Sequence, residues 1–187
     1  MTCHKSDVDS IKKCVESLQK NKVVIIPTDT VYGFSGIVNE SANSRIKEIK
    51  GRDENKPFIQ LIANPSDIFK YTSDKIPEKL LSYWPGPLTI IVNDNRLENK
   101  TTAFRCPGDK WLRDIISKCE FPLYSTSVNR SGSPVLENES EIVKEFEDEV
   151  DLIVLDGNKN NALPSTIVSF NNGEIKILRK GAVDIES

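Results

Sequence analysis

The stretch Val23 to Gly36, VVIIPTDTVYGFSG, constrains this chain more than any other. Val23 to Ile26 puts four β-branched residues in a row, the pattern of a strand buried on both faces. Pro27 ends the run, because proline has no amide hydrogen to give a ladder. Thr28, Asp29 and Thr30 follow as three short polar side chains. Val31 and Tyr32 lead into Gly33 and Gly36, which permit tight backbone and close approach of a ligand. A buried strand opening into such a turn has the shape of a site at the mouth of a sheet. A solvated turn between two strands needs the same residues, so this stretch alone leaves both readings open.

A second turn of the same kind follows a short strand at Leu123 to Thr126, where the chain reads Ser125-Thr126-Ser127-Val128-Asn129-Arg130-Ser131-Gly132. Between and around the two turns, strands and helices interleave. A helix capped by Asp7 would place Val8, Ile11, Val15 and Leu18 on one face. Ser41 would cap a second helix running to Lys50, with Ile46 and Ile49 inward and Gly51 where a helix end favours positive φ. Strands are expected at Phe58 to Ala63, Leu88 to Val92, Thr101 to Arg105 and Leu152 to Leu155. Short helices are expected after Asn64 and from Pro77 to Tyr83, and another carries Trp111, Ile115 and Ile116. Trp84-Pro85-Gly86-Pro87 is a connector that no regular element tolerates. Glu137 to Glu149 reads as a solvated helix with Ile142, Val143 and Phe146 facing in, and Thr166 to Phe170 with Glu174 to Leu178 as a hairpin about Asn172-Gly173. The class is α/β, with antiparallel pairing at least at that hairpin.

With 187 residues, 37% of them hydrophobic, the chain can bury one sizeable core. No apolar run approaches the ~18 residues of a membrane span, and neither a leader nor a lipidation motif is visible, so a cytoplasmic protein is expected. Cys3, Cys14, Cys106 and Cys119 form no C-x-x-C pair and read as reduced thiols, with Cys106 a packed small hydrophobe. A net charge of −3 argues against bulk electrostatic affinity for nucleic acid. Basic residues nevertheless gather locally, as Lys47, Lys50, Arg52 and Lys56, as Arg105, Lys110 and Arg113, and as Arg179 and Lys180. Such groups suit a small polyanion held at a few points, and equally an ordinary solvated surface.

The sequence contains neither G-x-x-x-x-G-K-[ST] nor G-x-G-x-x-G, which removes the P-loop and dinucleotide-binding readings. Its one histidine, His4, lies in a terminal segment expected to be mobile, so a Ser-His-Asp or Cys-His mechanism has no base. What remains is a set of cations (Lys50, Arg52, Lys56, Arg105, Arg179) with hydroxyls and an amide (Thr28, Thr30, Ser125, Ser127, Asn129, Ser165, Thr166). That is the equipment of phosphoryl or nucleotidyl transfer, a chemistry that asks mainly for positioning and charge neutralisation.

Six motifs then occur in a recognisable order: PTDTVYG at Pro27, Lys50-Gly51-Arg52, WPGPLT at Trp84, STSVNRSG at Ser125, PSTIV at Pro164 and ILRKG at Ile177. In these the chain resembles the YrdC/TsaC family of threonylcarbamoyl-AMP synthases over nearly its whole length. The resemblance implies one domain, residues 1–187, built as a twisted open mixed sheet with flanking helices around a large basic cavity. It implies synthesis of L-threonylcarbamoyl-AMP from L-threonine, bicarbonate or CO2 and ATP, with release of pyrophosphate and with Mg2+ carried by the ATP rather than by protein ligands. The product would pass to a tRNA threonylcarbamoyltransferase for N6-threonylcarbamoyladenosine in tRNA, with a weak direct tRNA contact left open and no membrane involved. By resemblance Lys50 and Arg52 are catalytic. Lys56, Arg105, Ser125, Ser127, Asn129 and Arg179 hold the nucleotide, and Thr28, Thr30 and Ser165 the threonine. As cations exposed at a helix exit, Lys50 and Arg52 are expected to add little to folding.

The sequence departs from the family pattern at Phe34-Ser35, Asp53 and Val128, and has Leu61 where longer members carry a histidine. The alternative is a non-catalytic tRNA- or dsRNA-binding module of the same fold. A carbamoyl-adenylating domain of the hydrogenase-maturation kind would bring zinc-binding C-x-x-C pairs, which are absent from the sequence.

Overall fold

The computed structural model describes residues 1–51, 57–98, 100–171 and 173–185. In chain order the elements are β1 (Thr2–His4), α1 (Ser10–Gln19), β2 (Val24–Ile26), β3 (Gly33–Ile37), α2 (Glu40–Lys50) and β4 (Ile59–Leu61). A 3-10 helix (Pro65–Lys70), α3 (Glu78–Leu81), β5 (Leu88–Asn93), β6 (Thr101–Arg105), α4 (Lys110–Cys119) and β7 (Leu123–Ser127) follow. The chain closes with α5 (Glu139–Phe146), β8 (Leu152–Leu155), β9 (Thr166–Asn171) and β10 (Glu174–Arg179).

Among the described residues the strands form one mixed sheet in the order β1-β8-β2-β3-β7-β4-β6-β5-β9-β10. β2 behaves as its composition requires: Val23 to Ile26 are all buried, between a parallel neighbour, β8, and an antiparallel one, β3. On one face α1 and α4 pack Cys14, Leu18, Leu112 and Ile115 against Val24, Leu61 and Leu123. On the other, Ile46 and Ile49 of α2 and Ile142 and Phe146 of α5 cover Ile25 and Phe34. Phe34 meets Phe146 edge-on with ring centroids 4.9 Å apart. A third cluster, from Ile68, Leu80 and Trp84 to Ile90, Phe104 and Val168, supports the β5-β6-β9 half. Each such fully buried aliphatic contributes on the order of 2–5 kcal/mol against truncation to alanine.

Several expectations need correction. Thr2–His4, expected to be mobile, pairs in parallel with β8, and the Lys5 amide continues the ladder onto the Leu155 carbonyl at 2.8 Å. α1 starts at Ser10, so Val8 lies outside it and is fully exposed, while Ser10, Cys14 and Leu18 form the buried stripe. Asn39, not Ser41, caps α2, its side chain accepting from the Ala42 amide at 2.9 Å. The acidic helix is shorter than expected, Glu139–Phe146, capped by Asn138. Gly51 does take φ 58°, and the final hairpin forms, though Asn172 lies outside the described residues.

Candidate active site

The two hydroxyl-rich turns meet. A cavity of about 220 Å³ is lined by Thr28, Thr30, Tyr32 and Gly33 from the first, Ser125 to Ser127 from the end of β7 that leads into the second, and Arg105, Ser165 and Arg179 from the other half of the sheet. Since β3 and β10 are fourth and tenth in the strand order, the sheet curls far enough for its two halves to face one hollow. Gly33 allows the close approach of β3 to β7, because a Cβ there would stand 3.1 Å from Ser125 Oγ.

Arg105, the last residue of β6, is buried, with 4% of its surface exposed. Its Nη1 donates to Thr30 Oγ1 at 3.0 Å and its Nη2 pairs closely with Asp29 Oδ1. Asp29 Oδ2 in turn accepts from the Gly108 amide at 2.7 Å, which ties the first turn to the loop after β6. The hydroxyl chain behind Arg105 has a fixed sense. Thr28 Oγ1 spends its single proton on the Val31 carbonyl at 2.7 Å, so across the 3.0 Å contact Thr30 is the donor and Thr28 the acceptor. The Thr30 oxygen is thereby left to accept from Arg105. Burial pushes the Arg105 guanidinium below the ordinary arginine range, opposed by Asp29.

Arg179, at the end of β10, is held by the other wall. Its Nε and Nη2 donate to the Ser165 carbonyl at 3.0 and 2.7 Å, and Nη2 also reaches Ser165 Oγ at 3.1 Å. Ser165 Oγ contacts Thr89 Oγ1 at 2.8 Å. Among the described residues Arg179 has no carboxylate partner. Desolvation, then the like charge of Arg105, lowers its pKa, so two cations share the hollow. Ser125 Oγ has no hydrogen bond among the described residues and faces the same space.

Lys50 sits differently from its expected place. It is 3% exposed and does not line the cavity. Its ammonium donates to the Ser127 carbonyl and, at 2.9 Å each, to the Asn129 carbonyl and Oδ1, with the Phe34 ring 5.3 Å away. The expectation of a solvent-exposed cation is therefore corrected: Lys50 reaches from the end of α2 under the exit of β7. Asn129 is occupied likewise, its Oδ1 accepting from Lys50 and from Ser127 Oγ at 2.8 Å, its Nδ2 donating to the Arg130 and Ser133 carbonyls. Of the residues singled out in the sequence, Thr28, Thr30, Arg105, Ser125, Ser127, Ser165 and Arg179 are thus brought to one cavity. Lys50 and Asn129 support its wall from behind, and Arg52 and Lys56 lie outside the described residues. Phe34, Leu61 and Val128 are core residues away from the cavity lining, and Asp53 lies outside the described residues.

Sequence reasoning assigned no role to Asp29 or Thr89. For Asp29 a signal was present: a buried-strand arginine needs a counter-ion, and the only acid in the first turn is Asp29. The four cysteines are buried and free, and burial pushes Cys106 up to about 12 and Cys119 to about 11, which makes them inert packing groups. Among the described residues no helix is long and apolar enough to cross a membrane.

A family model described as Sua5_yciO_yrdC, telomere recombination, matches residues 16–181. The chain is 33% identical over 190 residues to a putative threonylcarbamoyl-AMP synthase of Methanocaldococcus jannaschii, which covers 94% of this chain and 89% of that protein. It is 28% identical to the threonylcarbamoyl-AMP synthase of Pyrococcus abyssi over 90% of this chain and 53% of that one, so it spans about half of that relative's length. The structure of P. abyssi Sua5 complexed with L-threonine superposes with TM-score 0.82 at 27% identity, over 91% of this chain and 54% of that one. E. coli YciO superposes with TM-score 0.83 at 24% identity, over 98% of this chain and 95% of that one, a likeness of fold alone.

Proposed function

The chain belongs to the Sua5/YciO/YrdC family, and from that premise we propose that it is a nucleotidyltransferase that makes L-threonylcarbamoyl-AMP from L-threonine, bicarbonate and ATP. The observation that carries the reading is the pairing of two guanidinium groups, Arg105 and Arg179, across one hydroxyl-lined hollow. Such a hollow suits a polyanion, and threonine is the ligand named for the superposing P. abyssi structure.

In this reading threonine's amine adds to the carbon of bicarbonate, or of the CO2 it releases, to give a carbamate, the amine proton and the bicarbonate hydroxide leaving together as water. One carbamate oxygen attacks the α-phosphorus of ATP in line, the bond to the bridging oxygen breaks, and pyrophosphate leaves with that electron pair. No side chain is alkylated, acylated or phosphorylated, so the chain's work is to hold and neutralise. Arg105 and Arg179 balance charge on the phosphates, Arg179 through the Nη1 donors that its contacts to Ser165 leave open. Ser125 and Ser127 line the nucleotide side, while Thr28, Thr30 and Ser165 line the threonine side and orient the two arginines. Lys50 and Asn129 fix the Ser125 to Ser127 wall, and Arg52 and Lys56 complete the cation set. Residues 1–187 act as one unit.

Among the described residues no group of His, Cys, Asp or Glu is placed to hold a metal ion, and Asp29 is committed to Arg105 and Gly108. In this reading Mg2+ arrives on the triphosphate, whose oxygens supply its ligands, as part of the substrate. The product would serve a tRNA threonylcarbamoyltransferase in the cytoplasm. Pyrophosphate release from ATP and bicarbonate tests the activity. It should rise well above background only when L-threonine is added. No threonine dependence, together with salt-sensitive tRNA binding and no ATP binding, would replace the enzyme with a silent RNA-binding module.

A further inference from the structure

Arg179 faces the cavity only because β10 is irregular. From Glu174 to Ile177 the strand pairs residue for residue with β9, ending with Ile177 opposite Val168. The next pair is Arg179 with Ile167, so one residue, Leu178, has been inserted as a bulge. Residues directly opposite each other on antiparallel strands share a face. Val168 and Ile177 face the core of that half, whereas Ile167 and Arg179 line the cavity. In an unbroken ladder Leu178 would stand opposite Ile167 and enter the cavity, and Arg179 would turn away. Leu178 is instead half-exposed.

The chain just beyond the bulge is clamped by a single hydroxyl. Thr166, 1% exposed, donates through Oγ1 to the Val183 carbonyl, and the same oxygen accepts from the Gly181 amide at 3.0 Å and the Val183 amide at 3.2 Å. The Ala182 amide adds a bond to the Pro164 carbonyl at 2.9 Å. Gly181 lies so close to this strand that a Cβ there would fall 2.2 Å from the Pro164 carbonyl oxygen. Residues 181–183 are thus laid against residues 164–166, two residues after Arg179 and directly beside Ser165, which receives the guanidinium.

We propose that Thr166 is a positioning residue for Arg179: by clamping Gly181 and Val183 it keeps the Leu178 bulge in place and so turns the guanidinium into the cavity. The inference deepens the anion-binding role given to Arg179 above and rests on that reading. Thr166 itself is kept from substrate, since its hydroxyl is spent on Gly181 and Val183.

The test is calorimetric titration of the full chain with pyrophosphate, and separately with ATP, for Thr166→Val, Thr166→Ser, Arg179→Ala and the double variant Thr166→Val/Arg179→Ala. Loss of one charge-assisted contact corresponds to a roughly ten- to hundredfold fall in affinity, which is expected for Arg179→Ala and, through misdirection of the same group, for Thr166→Val. The double variant should bind within about threefold of Arg179→Ala, because two changes acting through one group are not additive. Thr166→Ser keeps the hydroxyl and should bind as the unaltered protein does. Should Thr166→Val not fold, Thr166→Ala, which removes the same hydroxyl with less bulk, carries the same expectation, whereas deletion of the half-exposed Leu178, which places Arg179 directly after Ile177 and so opposite Ile167 without a bulge, should keep the affinity. Unaltered pyrophosphate affinity in Thr166→Val or Thr166→Ala, or losses that multiply in the double variant, would overturn the proposal. A protein that binds pyrophosphate with these dependences but forms no threonylcarbamoyl-AMP would refute the activity proposed above and leave the role of Thr166 standing.

Discussion

Lys50 and Arg179 are both cations at the end of an element beside the same cavity, and their hydrogen bonds go to different places. Lys50 closes α2 and is buried, its ammonium given to the carbonyls of Ser127 and Asn129 and to the Asn129 side chain. Arg179 closes β10 and stays open to solvent at the cavity mouth, leaning on Ser165 with no carboxylate among the described residues. The first holds the strand that carries Ser125 and Ser127, and in the function proposed here the second offers donors to a ligand. By motif both are cations of one site, Lys50 as a catalytic group and Arg179 as one that holds the nucleotide. Where the donors point separates scaffold from binding group.

That contrast can be broken by mutation. The largest effect should come from the residue that belongs to both classes, Arg105. Replacing it with alanine leaves Asp29 without its cation in a mostly buried setting, and breaking a buried pair in this way costs about 3–5 kcal/mol of stability. A denaturant midpoint close to that of the parent protein would show that the Asp29 pair is not structural. Lys50→Met should follow, with about 2–3 kcal/mol lost because acceptors on Ser127 and Asn129 are left unsatisfied at low exposure. If its melting temperature matched the parent's while activity vanished, Lys50 would move to the ligand-binding class and the comparison would collapse. Arg179→Ala is expected to leave the melting temperature within about 2 °C and to weaken ATP binding roughly ten- to hundredfold, as befits an open cation. A stability loss as large as that of Lys50→Met would make it scaffold. The smallest change is expected of Ser125→Ala: a hydroxyl with no hydrogen-bond partner among the described residues, worth about threefold in nucleotide affinity and nothing measurable in stability.

The pattern of the sequence carried much of this arrangement. Branched residues at Val23 to Ile26, the first hydroxyl-rich turn, the positive φ at Gly51 and the final hairpin are local properties, and each is found as expected, whereas Ser125 to Ser127, expected in the second turn, complete strand β7. What was not legible depends on pairing between distant segments. β1 is too short and polar at its ends to signal a strand, and it forms because β8 offers a parallel edge. Val8 fits a helical stripe, yet the Asp7 carboxylate accepts from the His4 amide at 2.9 Å and makes a turn there, which delays α1 to Ser10. The burial of Lys50 follows from β7 ending directly over α2, and the aim of Arg179 from a one-residue bulge whose register is set by β9 and by Thr166. No periodicity within β10 marks that inserted residue.

The most direct measurement is a crystal structure of the protein with L-threonine and a non-hydrolysable ATP analogue. Phosphate oxygens are predicted within hydrogen-bonding distance of Arg179 and beside Ser125, with threonine against the Thr30 and Ser165 side of the same hollow. A nucleotide bound elsewhere on the sheet, with Arg105 and Arg179 untouched, would contradict the central claim that these two guanidinium groups are set there to receive it.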